Sequence, residues 1–101
     1  MTLSVVYAVF ADSGEAARVA RKVIEEGLAA CANILGPCHS IYRWEGKVED
    51  ATEAPALFKT TEAGRLIARI AALHRYDVPA ITSWPIGEVH VPYADWIATA
   101  R

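Results

Sequence analysis

Residues 3–11, LSVVYAVFA, are β-branched and aromatic with almost no polar break. Such a run predicts a strand covered on both faces. After Asp12 the period changes. Ala16, Ala20, Val23, Ile24 and Leu28 recur at helical spacing, and Arg18, Arg21, Lys22, Glu25 and Glu26 fill the other side. Asp12 is placed to cap this helix, with Glu15 three positions on as in a capping box. The helix is expected to end near Ala29. From Ala32 the pattern turns to strand: ANI, Gly36-Pro37, SIYRW, a turn at Trp44-Glu45-Gly46-Lys47, then KVE. Gly46 supplies the positive φ of a tight hairpin. The return strand resumes as ALFKT, residues 56–60, and the acidic, small-residue stretch Asp50–Pro55 predicts a bulge or frayed section.

Thr61 is placed to cap a second helix, with Leu66, Ile67, Ile70 and Leu73 as its apolar stripe and Arg65 and Arg69 facing away. Val78–Ile86 reads as a fourth strand, and Pro92 suits the first turn of a short last helix, PYADWIATA. The order βαββαβ plus a terminal helix predicts an α+β, ferredoxin-like antiparallel sheet with its helices on one face. Its first and third strands are central; its second and fourth are edges. Pro37, Pro79 and Pro85 all fall on the expected edge strands, where a missing N–H is tolerated. Edges rich in Ile, Tyr and Trp aggregate if bare. The long hairpin at 38–60 exceeds what one small sheet can cover, so it is expected to pair between subunits of a symmetric homo-oligomer.

Composition narrows the function classes. The 101 residues fit one domain, 1–101. Hydrophobic residues make up 53%, too many for a disordered chain. So short a chain has a limited core, which points to apolar surface buried between subunits. Ten basic and 12 acidic residues, net charge -2, carry no basic footprint of a nucleic-acid binder. No run approaches the roughly 18 apolar residues of a membrane span. The stretch MTLSVVYAVFADS lacks the positive start of a signal peptide. A cytoplasmic location with reduced Cys31 and Cys38 is the expectation.

Five side chains could serve as soft or basic ligands: Cys31, Cys38, His39, His74 and His90. Adjacent residues on a strand point to opposite faces, so Cys38 and His39 cannot both reach one metal without a bulge. Cys31 reads first as a buried packing residue. His74 follows the last apolar position of the second helix, where an imidazole interacts well with the helix dipole. Asp77 could orient it, or could be a turn residue. Lys59 lies on an apolar, central strand and must snorkel out or meet a partner. HExxH, GxSxG, GxGxxG and the phosphate-loop pattern are absent.

Taken in order, LAACANI, SIYRWEGKVE, LFKTT, LHRYDVPAI and YADW resemble the CutA divalent-cation tolerance proteins over nearly the whole chain. The resemblance implies a ferredoxin-like homotrimer whose long hairpins pair between subunits, an assembly like that of the nitrogen-regulatory PII signalling proteins, and no enzymatic reaction. It implies a cleft between subunits. Cys31 and Asn33 match the family's C-x-N-I; Tyr42, Trp44 and Lys47 its Y-x-W-x-G-K; Lys59 and Thr60 its K-T. His74 and Tyr76 match its H-P-Y-E-V-P-E, with Asp77 in place of Glu, and Tyr93 and Trp96 match its Y-x-x-W. Arg75 stands where the family usually has Pro. Ala80 replaces a second acidic residue, which removes a carboxylate from the cleft.

Three readings follow. The leading one is a homotrimer linked to divalent-cation tolerance, with no required cofactor and weak binding of Cu²⁺ or another divalent cation through His74 and Cys31. The alternative is a PII-like signalling or scaffold trimer that binds a small anion, through Lys59, Arg75 and Lys47, or a partner protein. The least favoured is an enzyme using Cys31 or a His74–Asp77 pair, since no nucleophile and base stand together. Neither nucleic acid nor membrane is an expected partner.

Overall fold

The computed structural model describes residues 2–100; Met1 and Arg101, the ends of the expected unit, lie outside it. The element order is β1 (Ser4–Phe10), α1 (Ser13–Glu25), β2 (Cys31–Ile34), β3 (Cys38–Trp44), β4 (Lys47–Thr60), α2 (Ala63–Leu73), β5 (Ile81–Pro85) and α3 (Val91–Thr99). All strand pairs are antiparallel, in the order β2-β4-β1-β5, with β3 pairing the outer half of β4. The first strand and the return strand are central, as the pattern of apolar residues requires.

Local chemistry sets the boundaries. The Asp12 carboxylate accepts from the Glu15 N–H at 2.8 Å and caps α1. Glu15 does not complete the box; its carboxylate accepts from Arg18 instead. The helix stops at Glu25, short of the expected Ala29. Gly27, at φ 74, donates to Ile24, and Leu28 donates to Val23, which together close a Schellman motif. α2 has no Thr61 cap. Its N-cap is Glu62, which makes no side-chain capping bond, while the Glu62 N–H donates to the hydroxyl of Thr60. Arg69 does not merely face away. It donates twice, at 2.8 Å each, to the Glu26 carboxylate and ties α2 to the end of α1.

β4 is the largest departure from the sequence pattern. Asp50–Pro55 neither bulges nor frays; Lys47–Thr60 is one strand of 14 residues. Its first half pairs β3 through Glu53 and its second half pairs β1 from Ala54 onward. Pro55 is tolerated at its centre for a geometric reason. Its carbonyl accepts from Leu35 N–H, just past the end of β2. The N–H and C=O of one residue point to the same side of an antiparallel strand. The missing donor therefore faces Leu35, just past β2, and costs only the second bond of that pair while the β1 ladder stays whole. Pro37 lies in the gap between β2 and β3, and Pro79 precedes a strand that begins only at Ile81, so neither is an edge-strand residue as expected.

Helices α1 and α2 cover one face of the sheet. Val6, Ala8, Phe10, Ala56 and Phe58 point into the core against Val19, Val23, Leu66 and Ile70. Each large side chain there contributes roughly 1.5–3 kcal/mol by burial. Strand alternation turns Val5, Tyr7, Val9, Leu57 and Lys59 to the opposite face, which among the described residues carries no helix layer beyond the contact of α3 with Cys31. Register places Cys31 beside Lys59 and Asn33 beside Leu57 on this open face.

β3 and the outer half of β4 form a two-stranded arm. Every residue from Ile41 to Asp50 is exposed. At its tip both turn residues have positive φ, 50 at Glu45 and 78 at Gly46, as a type I′ hairpin requires. Glycine carries that conformation freely; glutamate does not. Glu45→Asn is expected to stabilise the fold by about 0.5 kcal/mol. Urea unfolding of both forms checks this, and an unchanged or lower midpoint would refute it.

Candidate functional site

The residues expected around a cleft fall into two groups at opposite ends of the sheet. The first lies where β2, the end of β4 and α3 meet. Tyr93 and Trp96 stack with ring centroids 5.9 Å apart and planes at 14°. They reach this position because Pro92 starts α3 and because Ile97, 3% exposed, anchors the helix beside Leu28 and Thr60. The Tyr93 hydroxyl lies 3.4 Å from the Cys31 sulfur. Hydrogen bonding to Cys31 and then burial push the Tyr93 pKa up to about 12, so its phenol stays neutral at physiological pH. Of the two outcomes expected for Lys59, snorkelling out or meeting a partner, it takes the second, donating to Asn33 Oδ1 at 3.3 Å. Thr60 points the other way. Its hydroxyl donates to the Leu28 carbonyl at 2.7 Å and accepts from Glu62 N–H. It is a buried joint between β4, α1 and α2 rather than a cleft residue.

The second group lies where the arm leaves the sheet. A groove of about 680 Å³ runs between β3 and the segment 75–80. Tyr42, Trp44 and Tyr76 give it aromatic walls, and Glu53 and Asp77 give it acid. The Tyr76 hydroxyl donates to Glu53 Oε2 at 2.8 Å. Burial, and then that bond, push the Tyr76 pKa up to about 12. Lys47 stands apart at the arm tip, opposite Trp44.

His74 is held as a structural imidazole. Its Nδ1 accepts from the Tyr76 backbone N–H at 3.1 Å, so Nε2 carries the proton and donates to the Val9 carbonyl at 2.7 Å. The ring stacks on Phe10, centroids 4.8 Å apart at 12°. Both ring nitrogens are spoken for, which leaves no lone pair for a metal. Val9 pairs Pro55, four residues along β4 from Lys59, the partner of Cys31. That separates His74 and Cys31 by roughly 13 Å of strand at about 3.3 Å per residue. The expected His74–Cys31 ligand pair therefore does not form within one chain. Nor does the His74–Asp77 pair, because the nitrogen that Asp77 would orient is taken by backbone. Among the described residues, no group of three or more His, Cys, Asp and Glu could hold a metal ion.

Two further readings are corrected or kept. Arg75, considered as an anion-binding charge, lies with its Nε 3.0 Å from Glu15 Oε1, and Glu15 is shared with Arg18. The Arg18 hydrogen bond, more than either arginine's field, holds the Glu15 carboxyl below its ordinary range. Lys59, Arg75 and Lys47 do not converge within the chain. Cys38 and His39 diverge as alternation requires: the Cys38 sulfur meets the Ser40 hydroxyl and His39 meets Asp50. Glu53 escaped the sequence reading, and Glu15 was read only as a capping-box residue, because Tyr76 and Arg75 reach them from far off in sequence.

Fold and site together define a small ferredoxin-like α+β protein that displays its distinctive polar residues on an open sheet face and beside an arm. The chain belongs to the CutA1 family: the sequence model of the family described as CutA1 divalent ion tolerance protein matches residues 4–100. It is 46% identical over 88 residues to a divalent-cation tolerance protein CutA of Thermus thermophilus, spanning 84% of this chain and 85% of that one. A divalent-cation tolerance protein CutA of Pyrococcus horikoshii is 40% identical over 95 residues, 92% of each chain. The crystal structure of CutA1 from Oryza sativa superposes with a TM-score of 0.94 at 34% identity, covering 99% of this chain and 94% of that one.

Proposed function

We propose that the protein acts in divalent-cation tolerance as a homotrimer. It binds Cu²⁺ weakly in a cleft closed by neighbouring copies and catalyses no reaction. The observation that carries this reading is the uncovered apolar surface. Ile41 is 64% exposed, Val48 66%, Trp44 48% and Trp84 46%, on an arm and a sheet face that no helix layer covers among the described residues. Exposed large apolar side chains on both faces of an arm mark an interface. The outer edges of β3 and β5 have no partner strand among the described residues, and such edges are normally paired or covered. Within one chain, Cys31 is the soft donor that the open face offers to copper. Further ligands would come from a neighbouring copy, since His74 is committed to backbone. The free thiols of Cys31 and Cys38 suit the reducing cytoplasm proposed as its location.

Calorimetric titration of the assembled protein with Cu²⁺ tests this. Cys31→Ser is expected to weaken binding at least tenfold; equal affinities would remove Cys31 as a ligand. The second reading, a PII-like signalling or scaffold trimer, is favoured by Lys59, whose side chain meets only the neutral amide of Asn33 among the described residues. A rise in melting temperature with inorganic phosphate that Lys59→Met abolishes would support it. A flat response would count against an anion.

A further inference from the structure

The helix layer carries a charged cluster that the copper reading does not use. It gathers where the first turn of α1 meets the end of α2. α2 has no C-terminal signal of its own. Its last turn holds no basic residue, and its C-cap is His74 in extended backbone, at φ -72 and ψ 147, where many helices place a glycine in the left-handed region. The cap is supplied from α1 instead. Arg18 Nη2 donates to the Leu73 carbonyl at 2.7 Å, and its charge meets the negative end of the α2 dipole. Glu15 orients that arginine, accepting from Nη2 at 3.0 Å and from Nε at 3.2 Å. The same carboxylate meets Arg75 Nε at 3.0 Å, two residues past Leu73. Arg18 and Arg75 touch Glu15, the field of His74 reaches it, and Asp12 caps its backbone N–H. The next residue reaches the arm: the Tyr76 hydroxyl donates to Glu53 Oε2 at 2.8 Å, and Glu53 pairs Cys38 at the base of β3.

We propose that Glu15 is an ionic latch whose charge fixes the end of α2 and the segment 74–76, and through Tyr76 sets how the arm leaves the sheet. The carboxyl is held below its ordinary range, chiefly by the Arg18 hydrogen bond, so it is ionised at neutral pH. A single exposed ion pair contributes little, but a network of charge-assisted contacts contributes more. Arg18 carries the larger part, because the Arg75 side chain is 73% exposed and water screens its half. Glu15 and Arg18 stand on α1, across the sheet from the open face. An interface that contains the arm therefore takes a dependence on charge and salt from side chains on the other layer. That last step rests on the trimer reading. The latch does not, because every contact in it lies within one chain.

The test is Glu15→Gln in the full chain at neutral pH, which keeps the size of the side chain and removes its charge. Hydrogen exchange follows the His74 N–H, which donates to the Ile70 carbonyl, and the Tyr76 N–H, which donates to His74 Nδ1. The carboxylate carbon resonance of Glu53 follows the arm root, and Tyr76→Phe shows where it lies without the hydroxyl. Exchange at His74 and Tyr76 is expected to quicken at least threefold, with Leu66 at the other end of α2 unchanged. The Glu53 resonance is expected to move toward its Tyr76→Phe position. About 1 M NaCl, where the screening length is roughly 3 Å, is expected to quicken the same two amides in the parent and to do little in Glu15→Gln. Arg65→Gln, which breaks the exposed pair with Glu62, is expected to change neither His74 nor Tyr76. Parent-like exchange at both residues in Glu15→Gln would overturn the proposal. So would an unmoved Glu53 resonance, or an equal effect from Arg65→Gln.

Discussion

His74→Ala is expected to cost about 3 kcal/mol of folding stability and to leave Cu²⁺ affinity within about twofold of the parent. The stability loss follows from what the ring joins. It lies between the end of β1, through the Val9 carbonyl, and the segment after α2, through the Tyr76 N–H. Its faces meet Phe10 and Tyr76 at centroid distances of 4.8 Å each. Removing it leaves a half-buried carbonyl and a half-buried N–H without partners, at about 1–3 kcal/mol each where water cannot replace the bond, and opens a gap beside Phe10. The two costs overlap, because collapse of the site readmits water. Urea unfolding gives the first quantity and calorimetry the second. A loss below about 1 kcal/mol would show that His74 is not a joint, and a tenfold drop in copper affinity with stability intact would make it a ligand.

Leu57→Asp is expected to dissociate the assembly. Leu57 sits near the middle of the open face, flanked by Tyr7 on β1 and Asn33 on β2. In an isolated chain its side chain is only half-buried, so a carboxylate there can stay hydrated and the monomer keeps its fold. Between packed copies the same carboxylate would lose water without gaining a partner, a cost of several kcal/mol per copy. That is enough to reverse a multimeric equilibrium. Light scattering after size exclusion is the measurement. A variant that keeps the parent's mass would show that the open face lies outside the interface.

The strands and helices that carry an uninterrupted apolar period were legible before any coordinates. β1 is apolar along both faces, α1 and α2 have clean stripes, and their order dictates the sheet. Asp50–Pro55 was not legible, because acidic residues and a proline argue against a strand in isolation. Pairing with β3 on one half and β1 on the other overrides that local preference, and the proline costs only one bond, to Leu35 just past β2. The end of α1 was within reach: Gly27 after the last charged turn is a C-terminal signal, outweighed by the continuing apolar period at Leu28. For the site, residue types were a fair guide and partners were not. Lys59 announced a need for a partner but not that it was Asn33. His74 looked like a ligand because its two backbone acceptor and donor partners, Val9 and Tyr76, come together only when α2 docks on β1. Glu53 becomes notable only once Tyr76 reaches it across the root of the arm.

The central claim is that the open face and the arm are interior surfaces of a trimer. Sedimentation equilibrium of the purified protein at micromolar concentration tests it most directly. The account predicts a single species at three times the 11.0 kDa chain mass. A stable monomer at 11.0 kDa, with the apolar face and arm left in water, would contradict it.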